Sequence, residues 1–524
     1  MTGLLAGAVQ GHAPASQPEA AIVLVAHRGP LRFSQSDGVW SVTRNAGGLV
    51  TALESLVEEV GGEVRWICAP ASATDRTIAR AGSWTEFATD SATCGVRMLA
   101  IPRDAHHDFY NIIANPLLWF VQHDLYNRTE PEFGERERSA WHDGYVAVNR
   151  AFATSLTDPE IVPLNSTVMV HDYHFYLVPG MLRPQRPDVF IHHFTHIPWP
   201  GPGAWRLLPS TVTNAIFRGL LGSDIIGFHT AGDARNFLLG CRAFLGLPVD
   251  VERGSVSVDG RHVTVRHYPI SIDTDAVETL ASSPEVAARS IELVAIRPEM
   301  LVLRVDRADP SKNIVRGFAA FARMLRTHPE LHGRVTFLAL LQPTRGDVAE
   351  YRHYRRQIED VVDQINGELS GAAPAGWRPI DLRFSEDLPL AVAAYRDFDV
   401  LLVNSLADGM NLVVKEALIA NTNNGVVVLS ERAGAHDELG AVVISVDPFD
   451  VEQQSDAIYE ALVMPDGDRH DRLVAGAGIV RANDMQKWIR HQLSDIDLAR
   501  LNAQAGLAQV GPAHVRTSSA TGSS

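Results

Sequence analysis

A segment in the second half of the chain carries residue types that could bind a phosphate and a sugar side by side. Residues 399–421 read DVLLVNSLADGMNLVVKEALIAN: an apolar strand, a loop with Asp408 and Gly409, and apolar residues at helical spacing from Leu412. This arrangement binds anions, because the first helical turn leaves N–H groups free and the helix dipole favours negative charge. Glu416, one turn after Leu412 on the same face, could accept hydrogen bonds from sugar hydroxyls. In the simpler alternative, Asp408 caps a core helix and Glu416 is solvated.

Two predicted strands of the same half are followed by cations. Arg307 and Lys312 flank an Asp-Pro turn after a buried strand, and Arg345 follows the strand at 335–342. Because parallel strands bring their carboxyl ends to one edge of a sheet, these cations should lie beside the Asp408 loop. Arginine offers phosphate a bidentate fork and lysine a point charge, so together they could clamp a polyanion. Ordinary surface salt bridges are the alternative.

The first half places histidines and aromatic residues near its own strand ends. Five histidines end or follow two successive strands: His171, His174, His192, His193 and His196. Their spacing matches no standard zinc motif, so we interpret them as buried, hydrogen-bonded side chains. Arg28 lies just past the strand at 21–26, where α/β proteins place ligand contacts. Tyr110 and Trp119 lie in an aromatic-rich stretch, residues 106–126, and taken alone they indicate core packing.

These side chains depend on strands that alternate with helices along the chain. At 524 residues the chain is too long for one core, which predicts two domains of about 200–250 residues. The chain reaches a boundary around Asp273 and the alternation restarts at Met300, so we expect one α/β domain at 20–275 and a second at 276–483. The two chain ends, residues 1–19 and 511–524, are predicted to be disordered.

The composition narrows the classes of function. The chain has 62 acidic and 46 basic residues, a net charge of −16, which argues against nonspecific binding to nucleic acid or to an anionic membrane. Cys68, Cys94 and Cys241 are far apart and form no CxxC pair, as expected of reduced thiols in a cytoplasmic protein. No apolar run approaches the roughly 18 residues of a membrane span. The first residues lack the basic region of a signal peptide.

Together these features resemble the trehalose-6-phosphate synthases, which are retaining glycosyltransferases. The resemblance covers residues 21–505 and is carried, in chain order, by HRGP, NAGGL, FYNIIANPLLW, HDYHF, HIPWP, GFHT, YPISID, DRADPSKN, PTRGD, NSLADGMNLVVKEAL, LSERAGA and VDPFD. It implies the GT-B fold: two facing Rossmann-like domains with parallel sheets, an acceptor domain and a nucleotide-sugar domain, and a cleft between them. It also implies a last helix, at about 484–507, that crosses back onto the first domain.

The resemblance implies a role for each matching residue. The phosphate of the acceptor, glucose 6-phosphate, would be held by Arg28, Tyr110, Trp119 and Arg345. The acceptor sugar would meet the carboxylate of Asp172. The donor, a nucleoside-diphosphate glucose, would be held by Gly48, His196, Arg307, Lys312, Asp408, Gly409, Met410, Asn411, Leu412 and Glu416, with Glu416 on the ribose. The catalytic members would be Asp172, His196, Arg307, Lys312 and Asp408.

The implied reaction moves glucose to O1 of glucose 6-phosphate with retention and forms α,α-trehalose 6-phosphate. In a front-face displacement, the departing phosphate takes the acceptor proton while the enzyme supplies position and charge. No metal or other cofactor is implied, since arginine, lysine and helix amides stabilise the leaving diphosphate. Two alternatives stay open: a pseudo-glycosyltransferase that couples a nucleotide-activated cyclitol to a phosphorylated aminocyclitol, and a catalytically silent regulatory homologue.

The chain departs from the family pattern at three positions. His27 stands where asparagine is common, His229 where glutamine is frequent, and Ala69 where several relatives carry a second tryptophan near the acceptor. The change at Ala69 bears most on the identity of the acceptor.

The nucleobase is expected near residues 383–388, and this branch of the family favours GDP-glucose over UDP-glucose. The resemblance leaves the oligomeric state open, a homo-oligomer included, and no fused phosphatase is expected.

Overall fold

The computed structural model describes residues 21–36, 39–45, 47–89, 92–126, 133–294, 297–369, 371 and 376–509. The tails that were predicted to be disordered, 1–19 and 511–524, lie outside these ranges. Strands and helices alternate through the described chain. The strands are β1 Ile22–Ala26, β2 Leu31–Ser36, β3 Val39–Arg44, β4 Val64–Cys68, β5 Thr85–Ala88, β6 Thr93–Met98, β7 Thr167–His171, β8 Phe190–Phe194, β9 Ile225–Phe228, β10 Val249–Asp250, β11 Ser255–Val258, β12 Arg261–His267, β13 Met300–Arg307, β14 Val335–Gln342, β15 Ile380–Phe384, β16 Val400–Val403, β17 Val426–Ser430 and β18 Ile444–Val446.

The helices cover the faces of the sheets. They are α1 Gly48–Val60, α2 Ala73–Ala81, α3 Arg103–His107, α4 Trp119–Gln122, α5 Glu135–Ser139, α6 Ala147–Ser155, α7 Val178–Leu182, α8 Pro202–Trp205, α9 Ser210–Leu220, α10 Ala231–Leu245, α11 Thr274–Ala281, α12 Pro284–Val294, α13 Ile314–Thr327, α14 Ala349–Leu369, α15 Leu388–Asp397, α16 Leu412–Ala420, α17 His436–Leu439, α18 Val451–Val463, α19 Asp466–Ala482 and α20 Met485–Gln509. Two π-helical segments, Asp108–Leu118 and Ala140–Val146, and short 3₁₀ turns complete the chain.

The larger sheet runs in the order β10-β11-β12-β9-β8-β7-β1-β4-β6-β5. All neighbours from β12 to β6 are parallel, and the antiparallel pairs lie at the two edges. In β1, Leu24 and Ala26 pack into one core, and Val23 and Val25 pack into another on the opposite face. A strand that is covered on both faces must be apolar throughout, which is why it appears as a continuous apolar run in the sequence.

The smaller sheet is parallel throughout, in the order β15-β14-β13-β16-β17-β18. These two sheets are separate, and β2 and β3 form a further antiparallel pair, so the described chain has the predicted α/β class. The strand predicted at 335–342 is confirmed to the residue, and the one predicted at 21–26 begins one residue later, at Ile22.

Helix α20 lies against the first domain although it follows the second. The Met485 N–H donates to the Ile272 carbonyl at 3.0 Å, and the Tyr268 hydroxyl donates to Asp495 Oδ2 at 2.7 Å. Trp488, 2% exposed, packs its ring edge-on against Phe194. These contacts join the far end of the chain to the sheet of the first domain.

No helix within the described ranges is both long and apolar enough to cross a membrane.

Candidate active site

The carboxyl end of β16 leads through a tight loop into α16. Asn411 precedes this helix in a left-handed conformation with φ of 78°, which asparagine tolerates better than most residues. Its side-chain oxygen accepts a hydrogen bond from the Val414 N–H at 3.3 Å. The helix is therefore capped by Asn411 rather than by Asp408, which leaves the Asp408 carboxylate for other contacts.

Asp408 pairs with Lys312, which comes from the turn after β13. Lys312 Nζ lies 2.5 Å from Asp408 Oδ2 and 3.6 Å from Asp306 Oδ1, and Asn411 Nδ2 donates to Asp408 Oδ2 at 3.0 Å. Burial lowers the pKa of Lys312, but the two carboxylates outweigh burial and the net pKa is raised. Burial raises the pKa of Asp408, but Lys312 and Asn411 outweigh it and the net pKa is lowered. The pair is therefore charged, and it fixes a cation beside the start of α16.

Asp309 is a fully buried carboxylate that joins the two domains at the predicted acceptor site. Its oxygens accept hydrogen bonds from Trp119 Nε1 at 3.3 Å and from Arg345 Nη1 and the Tyr351 hydroxyl, each at 3.1 Å. The Trp119 ring also receives two guanidinium groups, Arg345 at 4.0 Å and Arg307 at 5.2 Å from its centre. Burial raises the pKa of Asp309, but the two arginines outweigh it and lower the pKa to about 2.

Sequence reasoning missed Asp309, because an acid before a proline looks like an ordinary turn residue. Its side chain orients Arg345 and Trp119, so we expect Asp309→Asn to raise KM for the phosphate-bearing acceptor about tenfold. A hydrogen bond to a charged group contributes roughly 1.5–3 kcal/mol, enough for that change. Steady-state kinetics should show kcat and donor KM within about twofold of the wild-type values. Glu368→Gln, which removes an acid from the exposed Arg326 pair, is the control. An equal rise in donor KM would contradict the assignment.

Asp172 occupies a strained position where β7 ends. Its backbone has φ of 76° and ψ of 170°, a region that residues with a side chain rarely adopt. Its N–H donates to the Phe194 carbonyl at 2.6 Å, and Oδ1 accepts from the His196 N–H at 3.2 Å. These bonds connect the ends of β7 and β8 and hold Asp172 in place. Strain of this kind clusters at functional sites, where the surrounding structure maintains it.

Burial raises the pKa of Asp172 to about 6. Because this folded-state pKa exceeds the unfolded value of about 3.9, protonated Asp172 stabilises the fold. That contribution is complete below the unfolded pKa and is lost as pH rises through about 6. We therefore expect Asp172→Asn to gain stability relative to wild type from about pH 4 to pH 7, by up to about 3 kcal/mol. Urea unfolding at the two pH values measures the change, and a constant difference would refute it.

The five histidines near β7 and β8 are only partly as predicted. His171 Nδ1 lies 3.2 Å from His196 Nε2. The ring nitrogens of His174, His192 and His193 have no hydrogen-bond partner among the described residues, so the prediction of hydrogen-bonded side chains is wrong for these three. For His192 and His193 the reason is that β8 is packed on both faces by aromatic and aliphatic side chains; His174 Nδ1 lies 3.8 Å from Asp172 Oδ2, too far for a hydrogen bond. Burial lowers the pKa of both strand histidines to about 3.

The predicted acceptor-phosphate residues come together from both domains. Arg28 is exposed at the end of β1, and Tyr110 lies half-buried beside it. Burial raises the pKa of Tyr110, but Arg345 and Arg28 outweigh burial and lower it, so cations from separate domains act on one hydroxyl. The His27 ring stacks against both Tyr110, at a ring distance of 4.9 Å, and His174, at 4.6 Å. This unusual histidine therefore lies inside the candidate acceptor site.

The domains also approach closely at the predicted donor residues. A Cβ atom on Gly48 would lie 3.2 Å from Leu412 Cδ1, and one on Gly409 would lie 2.5 Å from the His196 carbonyl oxygen. Helix α1 begins at Gly48, so the starts of α1 and α16 lie side by side, and both helix dipoles favour an anion there. The Met410 carbonyl, on the same loop, accepts from the Ala435 N–H at 2.8 Å.

The remaining predicted contacts lie further along the second domain. Glu416 is half-buried one turn into α16, accepts a hydrogen bond from the Tyr395 hydroxyl at 3.3 Å, and has its pKa raised by burial. The segment that was predicted to hold the nucleobase, residues 383–388, spans the end of β15 and the start of α15. There Arg383 pairs with Asp381 at 2.6 Å.

In the described residues, no group of three or more histidines, cysteines or acids is arranged to hold a metal ion.

Comparison with protein families gives one match over nearly the whole chain. The model for Glycosyltransferase family 20 matches residues 20–498. A bifunctional trehalose-6-phosphate synthase/phosphatase from Thermoproteus tenax is 33% identical over 482 residues, 89% of this chain and 62% of that protein. A trehalose-6-phosphate synthase from Mycobacterium avium is 33% identical over 497 residues, 92% of this chain and 96% of that protein. The chain spans about three fifths of the length of the first three curated relatives, 57–62%.

A solved structure has the same architecture. The α,α-trehalose-phosphate synthase (UDP-forming) from Burkholderia xenovorans, in complex with glucose-6-phosphate, superposes with a TM-score of 0.77 at 26% identity. The match covers 91% of this chain and 100% of that one. With the two separate α/β sheets, it confirms the predicted GT-B fold.

Proposed function

The chain belongs to glycosyltransferase family 20, and we propose that it transfers glucose from a nucleoside-diphosphate glucose to glucose 6-phosphate, forming α,α-trehalose 6-phosphate with retention. The observation that carries the proposal is a pair of cation sites on the second domain, each at a point where that domain meets the first. Lys312 lies beside the start of α16, and Arg345 lies on Trp119 near Tyr110. One site suits a diphosphate and the other a phosphate monoester.

In the mechanism that we propose, the protein supplies position and charge. The glycosyl bond breaks, and negative charge grows on the leaving diphosphate near Arg307, Lys312 and the α16 amides. The acceptor hydroxyl gives its proton to that phosphate as its oxygen bonds to C1 on the same face, which retains the configuration. Asp172, oriented by the His196 N–H, would hold the acceptor sugar. Preorganised charges of this kind stabilise a transition state without rearranging during the reaction.

The proposal also names the acceptor and the nucleobase of the donor. Glucose 6-phosphate is supported by the complex of the Burkholderia synthase and by the cations around Tyr110. The sequence pattern favours GDP-glucose, whereas the Burkholderia relative is named as UDP-forming. A second function, the coupling of cyclitol units, is favoured by one feature: His27 and Ala69 alter the family pattern at the acceptor side.

The unpaired thiols of Cys68, Cys94 and Cys241 support a cytoplasmic location.

A substrate panel tests the proposed function. Purified protein is given glucose 6-phosphate with GDP-, UDP- and ADP-glucose, and the product is scored by mass and by the anomeric configuration in NMR. We expect α,α-trehalose 6-phosphate from at least one donor. Inactivity with all three donors, combined with turnover of a phosphorylated aminocyclitol, would replace the proposal with the second function. A β-linked product would overturn the retaining mechanism.

We also propose that no metal ion takes part. The charge that a metal would supply is available from Lys312 and Arg307 at the diphosphate and from the first turn of α16. Activity should therefore stay within about twofold of the untreated value after dialysis against EDTA. A loss that magnesium or manganese restores would contradict this expectation.

A further inference from the structure

Three arginines, none of them assigned to either substrate, line a small cavity on the first domain. Arg76 and Arg80 lie one turn apart on α2, and Arg103 begins α3. Together with Ala100, Ile101 and Pro102 they line a half-open space of about 250 Å³. Ile101, 7% exposed, contributes an apolar side chain to the lining, and the three arginines are its charged residues. We call this the arginine cavity.

No carboxylate in the described part of the chain forms an ion pair with these arginines. The nearest acid in sequence to Arg76 is Asp75, which is buried and accepts from the N–H groups of Phe33, Ala71 and Ser72. Asp104, next to Arg103, is exposed and forms no ion pair with them. The protein carries 62 acidic and 46 basic residues. A group of three arginines without an acidic partner is therefore unexpected in a chain that is acidic as a whole. Such a group repels itself unless an anion compensates it.

We infer that the arginine cavity is a binding site for the phosphate group of a small metabolite or for inorganic phosphate. A phosphate has three oxygens that can accept hydrogen bonds from several guanidinium forks at once, whereas a carboxylate has two. The cavity is smaller than the roughly 300–1,000 Å³ of sites that hold drug-sized ligands. It therefore suits a phosphate or a sugar phosphate rather than a whole nucleotide.

The cavity borders the candidate acceptor site through α3. His106, three residues after Arg103, places its Nε2 3.3 Å from Nε2 of His27, the residue before Arg28. Burial lowers the pKa of His106, and Arg76 lowers it further, so the charge in the cavity acts on this imidazole. An anion bound in the cavity would change the potential at His106 and, through it, at His27.

Titration calorimetry with inorganic phosphate tests the inference on the full chain without any donor. Wild type should show two sites, because phosphate also fits the acceptor site. The variant R80Q/R103Q removes two exposed guanidinium groups from the arginine cavity and should weaken one site at least about tenfold. The control R150Q/R235Q removes two exposed arginines elsewhere on the same domain and should match wild type.

Loss of one site in R80Q/R103Q alone, with thermal melting unchanged, supports the inference. Isotherms of R80Q/R103Q that superpose on those of the control would overturn it, and so would an equal loss in both variants, which would indicate a general charge effect. Titration with acetate separates phosphate from carboxylate binding, and equal affinity for acetate at the same site would refute the assignment to phosphate. The outcome does not depend on turnover, so a failed substrate panel leaves this result unaffected.

Discussion

Arg307→Ala should lower kcat by roughly 10²–10³ while the protein keeps its normal melting temperature, since removing one preorganised charge donor typically costs that much. The guanidinium lies over the Trp119 ring and forms no ion pair with any acid in the described ranges. Its removal leaves the buried Asp309 carboxylate with Arg345 as its ion-pair partner. A loss of turnover in this variant would then report transition-state stabilisation rather than damage to the fold.

Lys312→Ala should lower kcat by a similar factor, but it should also destabilise the protein. It leaves Asp408 and Asp306 without their shared cation, and breaking a buried pair typically costs about 3–5 kcal/mol. The two variants thus separate the catalytic effect from the structural one. The double variant should lose less than the product of the single losses, because both cations act on one leaving group.

Measurement of kcat, donor KM and melting temperature for the three variants tests this account. Arg326→Ala is the control: it removes an arginine from an exposed pair with Glu368 on the same domain, a contact that contributes about 1 kcal/mol or less. If Arg307→Ala turns over at a rate close to that of the control, Arg307 does not act on the leaving group.

The convergence of these cations could be predicted from the sequence because it follows from local pattern and one topological rule. The continuous apolar runs at 335–342 and 400–403 mark strands covered on both faces, and the structure shows both to the residue. Parallel strands bring their carboxyl ends to one edge, so Lys312 and the Asp408 loop had to lie close together. The structure places them 2.5 Å apart.

Contacts between the domains could not be predicted in this way. Asp309 and Trp119 are 190 residues apart, and neither neighbourhood in the sequence points to the other. The unpaired nitrogens of His192 and His193 were equally hidden, because a sequence shows that a side chain is buried more readily than what surrounds it. Pro116, between Tyr110 and Trp119, lies inside a π-helical segment that continues into α4, although a proline usually interrupts a helix.

The close approach of the domains at Gly409 leads to the other large expected effect. Gly409 carries no positive φ, so its backbone suits any residue, and the obstacle to a side chain is contact alone. A Cβ atom there would lie 2.5 Å from the His196 carbonyl oxygen and 3.2 Å from His229 Cδ2. Both neighbours belong to the first domain, and backbone cannot move aside as a flexible side chain can. The substitution therefore has to push the two domains apart at the donor site.

Gly409→Ala should thus lower kcat/KM by roughly 10²-fold or more, because a displacement of about 1 Å at reacting groups costs that much. The alanine keeps the backbone N–H at position 409, so the loss would come from domain spacing and not from a missing donor. Gly478→Ala, in α19 with no atom within 4 Å of the new Cβ, is the matched control. It should keep full activity and gain about 0.4–1 kcal/mol of stability. Full activity of Gly409→Ala would show that catalysis tolerates a wider spacing of the two loops, and the close packing of the Gly409 loop on the His196 loop would then have no catalytic role.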